Sequence, residues 1–135
     1  MTHLPSLLDR MNKPKTEMTP RFTIIIPVKS INDYVRETVP YIQNLSNLSW
    51  ELIILPNDAD PDEWNDTRIR IISSGHVGPA KKRDLGADLA QGKILVFLDD
   101  DSYPESNLLN IAEHYFGDNS VVALGGPAMT PPHDT

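Results

Sequence analysis

The stretch GPAKKRDLGADLAQGKILVFLDDDSYPES, residues 78–106, runs from a proline through a helical segment into an apolar run and ends on three adjacent carboxylates. Pro79 suits the first position of a helix, where its missing N–H leaves nothing unpaired. AKKRDLGADLAQG then reads as that helix, with Gly92 as a left-handed cap. KILVFLD reads as a strand, and its unbroken apolar run predicts burial on both faces. Asp99, Asp100 and Asp101 follow at once. Two carboxylates about 4 Å apart repel by roughly 4 kcal/mol at an effective dielectric near 20. Three of them at the rim of a core need something to offset that repulsion.

The same alternation extends outward in both directions. Upstream, RFTIIIP (21–27) reads as a buried strand, INDYVRETVPYIQNL (31–45) as a helix, and WELIILP (50–56) as a second buried strand. The helix buries Tyr34, Val35, Val39, Ile42 and Leu45, is capped by Asn32 or Asp33, and is kinked or broken at Pro40. NDADPDEWNDT (57–67) is a loop, RIRII (68–72) a short third strand, and SSGHVGP (73–79) a turn. Downstream, SYPESNLLNIAEHYFG (102–117) predicts a helix with Pro104 in its first turn. Its buried stripe is Leu108, Ile111, Ala112, Tyr115 and Phe116, and Gly117 stops it. SVVALGG (120–126) predicts a fifth strand. Residues 1–20 read as a tail and linker, 21–128 as the folded domain, and 129–135 as a second tail. Alternating strands and helices with apolar strands predict an α/β fold: a mostly parallel sheet sandwiched by helices.

Bulk properties narrow the function. The chain has 135 residues, 39% hydrophobic and 23% charged, enough for one domain with a core. Its 19 acidic against 12 basic residues give a net charge of −7, which argues against a general nucleic-acid binder. With no cysteine there is no disulfide, thiolate metal site or cysteine nucleophile. No segment approaches the ~18 apolar residues of a membrane helix, and the N-terminus lacks a secretory layout. A cytoplasmic protein is expected, with peripheral membrane association left open. The glycine-rich dinucleotide fingerprint, the P-loop and the Gly-x-Ser-x-Gly elbow are all absent.

In a parallel sheet the residues after each strand share one edge, where ligands bind. Here that edge gathers Pro27, Val28, Lys29 and Ser30; Pro56, Asn57, Asp58 and Asp60; Ser73, Ser74, Gly75 and His76; and Asp99, Asp100 and Asp101. A hard divalent cation, Mn²⁺ or Mg²⁺, turns carboxylate repulsion into attraction and is usually completed by substrate phosphates. One Asp could instead serve only as a helix cap, but three exceed that need. Arg83, on the first turns of the second long helix, would face the same crevice and favour an anion. Lys81 reads as solvated and His76 as exposed.

The order FTIIIPVKSINDYVRETV, WELIILPND and GPAKKRDLGADLAQGKILVFLDDDSYPES resembles the N-terminal half of family 2 glycosyltransferases with the GT-A fold, over residues 22 to about 128. The resemblance implies a Rossmann-like nucleotide-diphospho-sugar transferase architecture, truncated in this chain. It implies that Pro27, Val28 and Lys29 lie against base and ribose, and that Asn57 and Asp58 replace the family's Asp-Asp-Gly at the base. It implies that Arg83 contacts the nucleotide, and that Asp99 and Asp101 form Asp-x-Asp, the first at ribose and the last on the metal. Asp100 is included among the donor-binding residues. The expected partners are a nucleotide-diphospho-sugar and an acceptor hydroxyl of unknown type, with a homo-oligomer allowed. Transfer is expected to be inverting, with the general base beyond Thr135. Two other readings stand beside this one: a nucleotide-binding module without turnover, and a phosphotransferase with Asp99 as nucleophile, which Tyr103 and the late position of the acids disfavour.

Overall fold

A computed structural model of the chain describes residues 19–59, 61, 63–116 and 122–125, with only the backbone described at 116 and 122–125. The elements in chain order are β1 (Phe22–Pro27), α1 (Asp33–Gln43), β2 (Trp50–Leu55), β3 (Ile69–Ile71), α2 (Pro79–Leu89), β4 (Ile94–Phe97), α3 (Leu108–Phe116) and β5 (Val122–Gly125). The five strands form one sheet in the order β3-β2-β1-β4-β5, every pair parallel. The chain therefore builds outward from β1 to β3, then returns to β1's other side for β4. That reversal puts the topological switch point between β1 and β4, where open α/β sheets bind ligands.

The apolar runs form strands because both faces of the sheet are covered. Ile24, Ile26, Leu52, Ile54 and Val96 pack on one face with Val35, Val39 and Ile42 of α1 and Leu108, Leu109 and Ala112 of α3. Ile25, Ile53 and Leu55 point to the other face, against Leu85 and Leu89 of α2. Gly86 lets α2 approach closely: a Cβ there would stand 2.7 Å from Ile25 Cγ2.

Several expectations change in detail. Asn32, not Asp33, caps α1, its side chain accepting from the Val35 N–H. Pro40 sits inside α1 without ending it, three residues before the last helical position. Tyr34 was expected in the core but is exposed, one position off the buried stripe. Gly92 is not a left-handed cap. Helix α2 ends at Leu89 with Ala90 extended, and the one glycine with positive φ among the described residues is Gly75. Gly92 is instead required by crowding, since a Cβ would fall 2.6 Å from the Phe22 carbonyl carbon. Pro104 lies in the loop before α3 rather than in its first turn. In α3 the buried face is Leu108, Leu109 and Ala112, with Ile111 38% and Tyr115 74% exposed. The strand at 120–126 is observed as Val122–Gly125. The Phe116 side chain, the expected stop at Gly117, Asp60 and the two tails (apart from Thr19 and Pro20) lie outside the described residues. No helix among the described residues is long and apolar enough to cross a membrane.

Candidate functional site

A cavity of about 390 Å³ opens at the switch point. The carboxyl end of β1 contributes Pro27, Val28 and Lys29, and that of β4 contributes Asp99, Asp100 and Asp101. The N-terminus of α2 contributes Gly78, Pro79, Lys82 and Arg83, with Val77 before it. Seven of the nine sequence-predicted site residues thus line one concavity, of a size that holds a small organic ligand.

The local sequence explains the placement. Pro27 ends β1, and Leu98, held by its N–H to the Ile25 carbonyl, turns the acids out beyond the sheet. The acid loop is then clamped by α1. Asn32 Nδ2 donates to Asp100 Oδ2 at 2.9 Å. Thr38 Oγ1 lies 2.7 Å from the carbonyl oxygens of both Asp100 and Ser102. Helix α2 starts at Gly78 and Pro79 with no side chain capping it, so its first N–H groups and its dipole are open to an anion.

The charges in the cavity are left uncancelled. Among the described residues, the Asp99 and Asp101 carboxylates make no hydrogen bond or ion pair, and neither do the Lys29 ammonium and the Arg83 guanidinium. Cations and anions share one lining without meeting. Such an arrangement suits a ligand that brings both signs, a phosphate ester with a bound cation. The acids alone do not make a metal cage: among the described residues no cluster of three or more His, Cys, Asp or Glu could hold an ion. Two free carboxylates nevertheless fit the chemistry of Mg²⁺ or Mn²⁺, which bind through one or two carboxylates plus substrate phosphates.

Two predicted residues do not line the cavity. Asn57 is bonded to a lining residue instead, its Oδ1 accepting from Lys82 Nζ at 2.8 Å. Asp58 is exposed, 3.3 Å from the equally exposed His76 Nε2. Three other residues are not among the sequence-predicted site residues. Lys82 is buried and lines the site; its pKa is pushed down by burial, while Asp58 nearby opposes the shift. Its signal was positional: Lys82, Gly86 and Leu89 share the inward face of α2. Thr38 was a polar residue beside the apolar stripe of α1. Tyr103 donates to Glu37 Oε1 at 2.7 Å, and that bond raises its pKa.

A sequence profile described as glycosyl transferase family 2 matches residues 23–133. The chain belongs to glycosyl transferase family 2. Within that family it is 31% identical over 100 residues to "Uncharacterized glycosyltransferase EpsJ" of Bacillus subtilis (strain 168), covering 66% of this chain and 28% of the relative. It is 26% identical over 117 residues to an "Uncharacterized glycosyltransferase" of Haemophilus influenzae, covering 79% of this chain and 46% of the relative. The chain thus spans under half the length of these relatives. Among solved structures, S. aureus TarS 1–349 superposes with a TM-score of 0.61 at 18% identity, covering 70% of this chain and 32% of TarS. The same region of TarS in complex with UDP-GlcNAc superposes equally, at 0.61. At that identity the likeness establishes the shared fold.

Proposed function

We propose that the chain supplies the donor-binding half of a metal-dependent glycosyltransferase that moves a sugar from a nucleotide-diphospho-sugar to an acceptor hydroxyl with inversion. The observation that carries this reading is the single cavity in which Asp99, Asp101 and Arg83 stand unneutralised beside the open end of α2. The TarS structure named for its UDP-GlcNAc complex makes a uridine-diphospho-sugar the first donor to try.

Asp101, with Asp99, would hold the Mn²⁺ or Mg²⁺. The bound ion supplies charge neutralisation as the diphosphate departs. Pro27, Val28 and Lys29 form the wall for base and ribose, and Asp99 is placed to accept a ribose hydroxyl. The Arg83 guanidinium offers a planar fork to the diphosphate from the start of α2, where the dipole already favours negative charge. Asp100 is committed to Asn32 and orients the loop rather than the ligand. The carboxylate that deprotonates the acceptor is assigned to none of the described residues.

The test is titration of the chain with UDP, with and without Mn²⁺, followed by assay of UDP-sugar hydrolysis or transfer. Manganese-dependent binding supports the donor site. Binding without turnover assigns the chain the module role, and no binding under either condition removes the reading.

A further inference from the structure

Asp99, Asp100, Asp101 and Ser102 form a β-turn. The Ser102 N–H donates to the Asp99 carbonyl at 3.1 Å, and Asp100 and Asp101 occupy the two central positions. The two commonest turn types differ by a flip of the peptide between those positions. Type I keeps both central residues at negative φ, and type II puts the second at positive φ. Among the described residues Asn65 is the one non-glycine with positive φ, so Asp101 is not in the type II form. The local sequence does not enforce that choice. Aspartate enters the left-handed region more readily than most residues, and neither central position is a proline. The choice is made from outside the turn.

The outside group is Thr38 of α1, which is fully buried. A threonine inside a helix commonly turns its hydroxyl back to the carbonyl four residues earlier. Here Oγ1 meets the loop, 2.7 Å from the Asp100 carbonyl oxygen and 2.7 Å from that of Ser102. The Asp100 carbonyl belongs to the central peptide of the turn, and the Ser102 carbonyl lies on the far side of Asp101. A hydroxyl has one proton, which these two carbonyls share. Thr38 therefore holds the backbone on both sides of Asp101. Flipping the central peptide would carry the Asp100 oxygen away from Oγ1 and redirect Asp101. The exit of the loop has its own tie to the same helix. Tyr103 donates to Glu37 Oε1 at 2.7 Å, and its ring meets that of Tyr41 edge to face at 5.2 Å.

We propose that Thr38 is a positioning residue for the metal: by fixing the central peptide of the acid turn, it holds Asp101 in the orientation that lets it share one divalent cation with Asp99. This rests on the metal-and-diphosphate reading of the cavity. Thr38 does not line that cavity; it acts through the turn, with Tyr103 and Glu37 steadying the exit. Without the hydroxyl, the two arrangements of the turn lie closer in energy. Cation binding then draws only on the fraction already in the competent arrangement, and apparent affinity falls by that fraction.

The experiment measures UDP affinity with and without Mn²⁺ in the full chain and in Thr38→Val, Thr38→Ser and Tyr103→Phe. Thr38→Val keeps the shape and removes the proton, and Thr38→Ser keeps the proton. In the parent, Mn²⁺ tightens UDP binding. Thr38→Val loses about tenfold of that tightening, the scale of one buried hydrogen bond, while its metal-free UDP affinity stays at the parent's value. Thr38→Ser recovers most of the tightening, and Tyr103→Phe loses a smaller part of it. Unaltered tightening in a folded Thr38→Val overturns the proposal, since the hydroxyl then serves stability alone. Equal loss of UDP binding with and without Mn²⁺ overturns it too, as a general structural defect. Should circular dichroism show Thr38→Val unfolded, Tyr103→Phe decides alone, and unchanged tightening there sinks the assignment. A parent whose UDP binding ignores Mn²⁺ strikes the metal reading itself, and the proposal with it.

Discussion

Asn32 joins two elements with one amide: Oδ1 caps α1 by accepting from the Val35 N–H at 2.9 Å, and Nδ2 donates to Asp100 Oδ2 at 2.9 Å. The capping bond fixes which end of the amide faces the acids. Asp100 is thereby engaged, and the carboxylates on either side of it are left for a ligand.

Asp101→Ala and Asp99→Ala are expected to abolish the manganese-dependent tightening of UDP binding without loss of fold. Asp100→Asn, which can still accept from Asn32, is expected to keep most of it. Calorimetric titration with and without Mn²⁺ checks this; equal tightening in parent and Asp101→Ala would refute it. Asp100→Ala should instead lower stability by about 1–2 kcal/mol, as a hydrogen-bonded, half-buried partner is lost, read from urea unfolding.

Arg83→Ala should weaken UDP binding about tenfold or more at fixed Mn²⁺, the range for a charge-assisted contact. Its melting temperature should hold, because Arg83 bonds to no described residue. Lys81→Ala, at an exposed position on the same helix, is the control expected to change neither. Matching affinities for the two variants would count against a diphosphate role for Arg83.

Gly92→Ala should destabilise by about 1–3 kcal/mol or more, the cost of forcing atoms into a filled space. The added carbon would meet backbone, at 2.6 Å from the Phe22 carbonyl carbon and 2.8 Å from the Thr23 nitrogen. Gly78→Ala, with nothing within 4 Å of its added carbon, should be close to neutral. Thermal melts of the two variants side by side test the contrast.

Asp66 supplies an acid-limb prediction. The Arg68 side chain, its main cause, holds the Asp66 carboxyl down to about 2. A carboxyl depressed in the folded state stabilises above its unfolded value and loses that contribution as pH falls through the folded value. The contribution should therefore fade between about pH 4 and pH 2 and is worth about 1 kcal/mol after solvent screening. Urea midpoints should fall less over that window in Asp66→Asn than in the parent. Parallel curves would show that Asp66 does not drive the change.

The frame of the fold was legible because its signals were strong. Unbroken β-branched runs such as Phe22–Pro27 have nowhere to go but a sheet covered on both sides. Pro79 marked a helix start that the structure keeps. The acids at 99–101 and Arg83 were legible because their positions followed from the parallel sheet. Finer features depended on contacts that no periodicity encodes. Gly92 looked like a cap because glycine often ends helices, but its neighbours across the sheet are Phe22 and Thr23, seventy residues away in the chain. Tyr115 and Ile111 looked internal because the stripe of α3 was set one position off, and Leu109 takes the buried place. Lys82 was passed over because a lysine between Lys81 and Arg83 reads as part of a charged surface. Its burial depends on acceptors arriving from β2 and β3.

The sheet's strand order also governs how the chain can be made. β1 is central, paired with β2 on one side and with β4 on the other through Phe22↔Ile94 to Ile25↔Phe97. As the polypeptide leaves the ribosome, β1 can zip to β2 early but must wait for residue 97 to gain its second neighbour. Until then one hydrogen-bonding edge of this buried strand stands open as a template for intermolecular pairing. The interval between emergence of β2 and emergence of β4 is thus the one in which that edge of β1 lacks its partner. The cavity-lining loops at 27–29 and 99–101 come together only at its close.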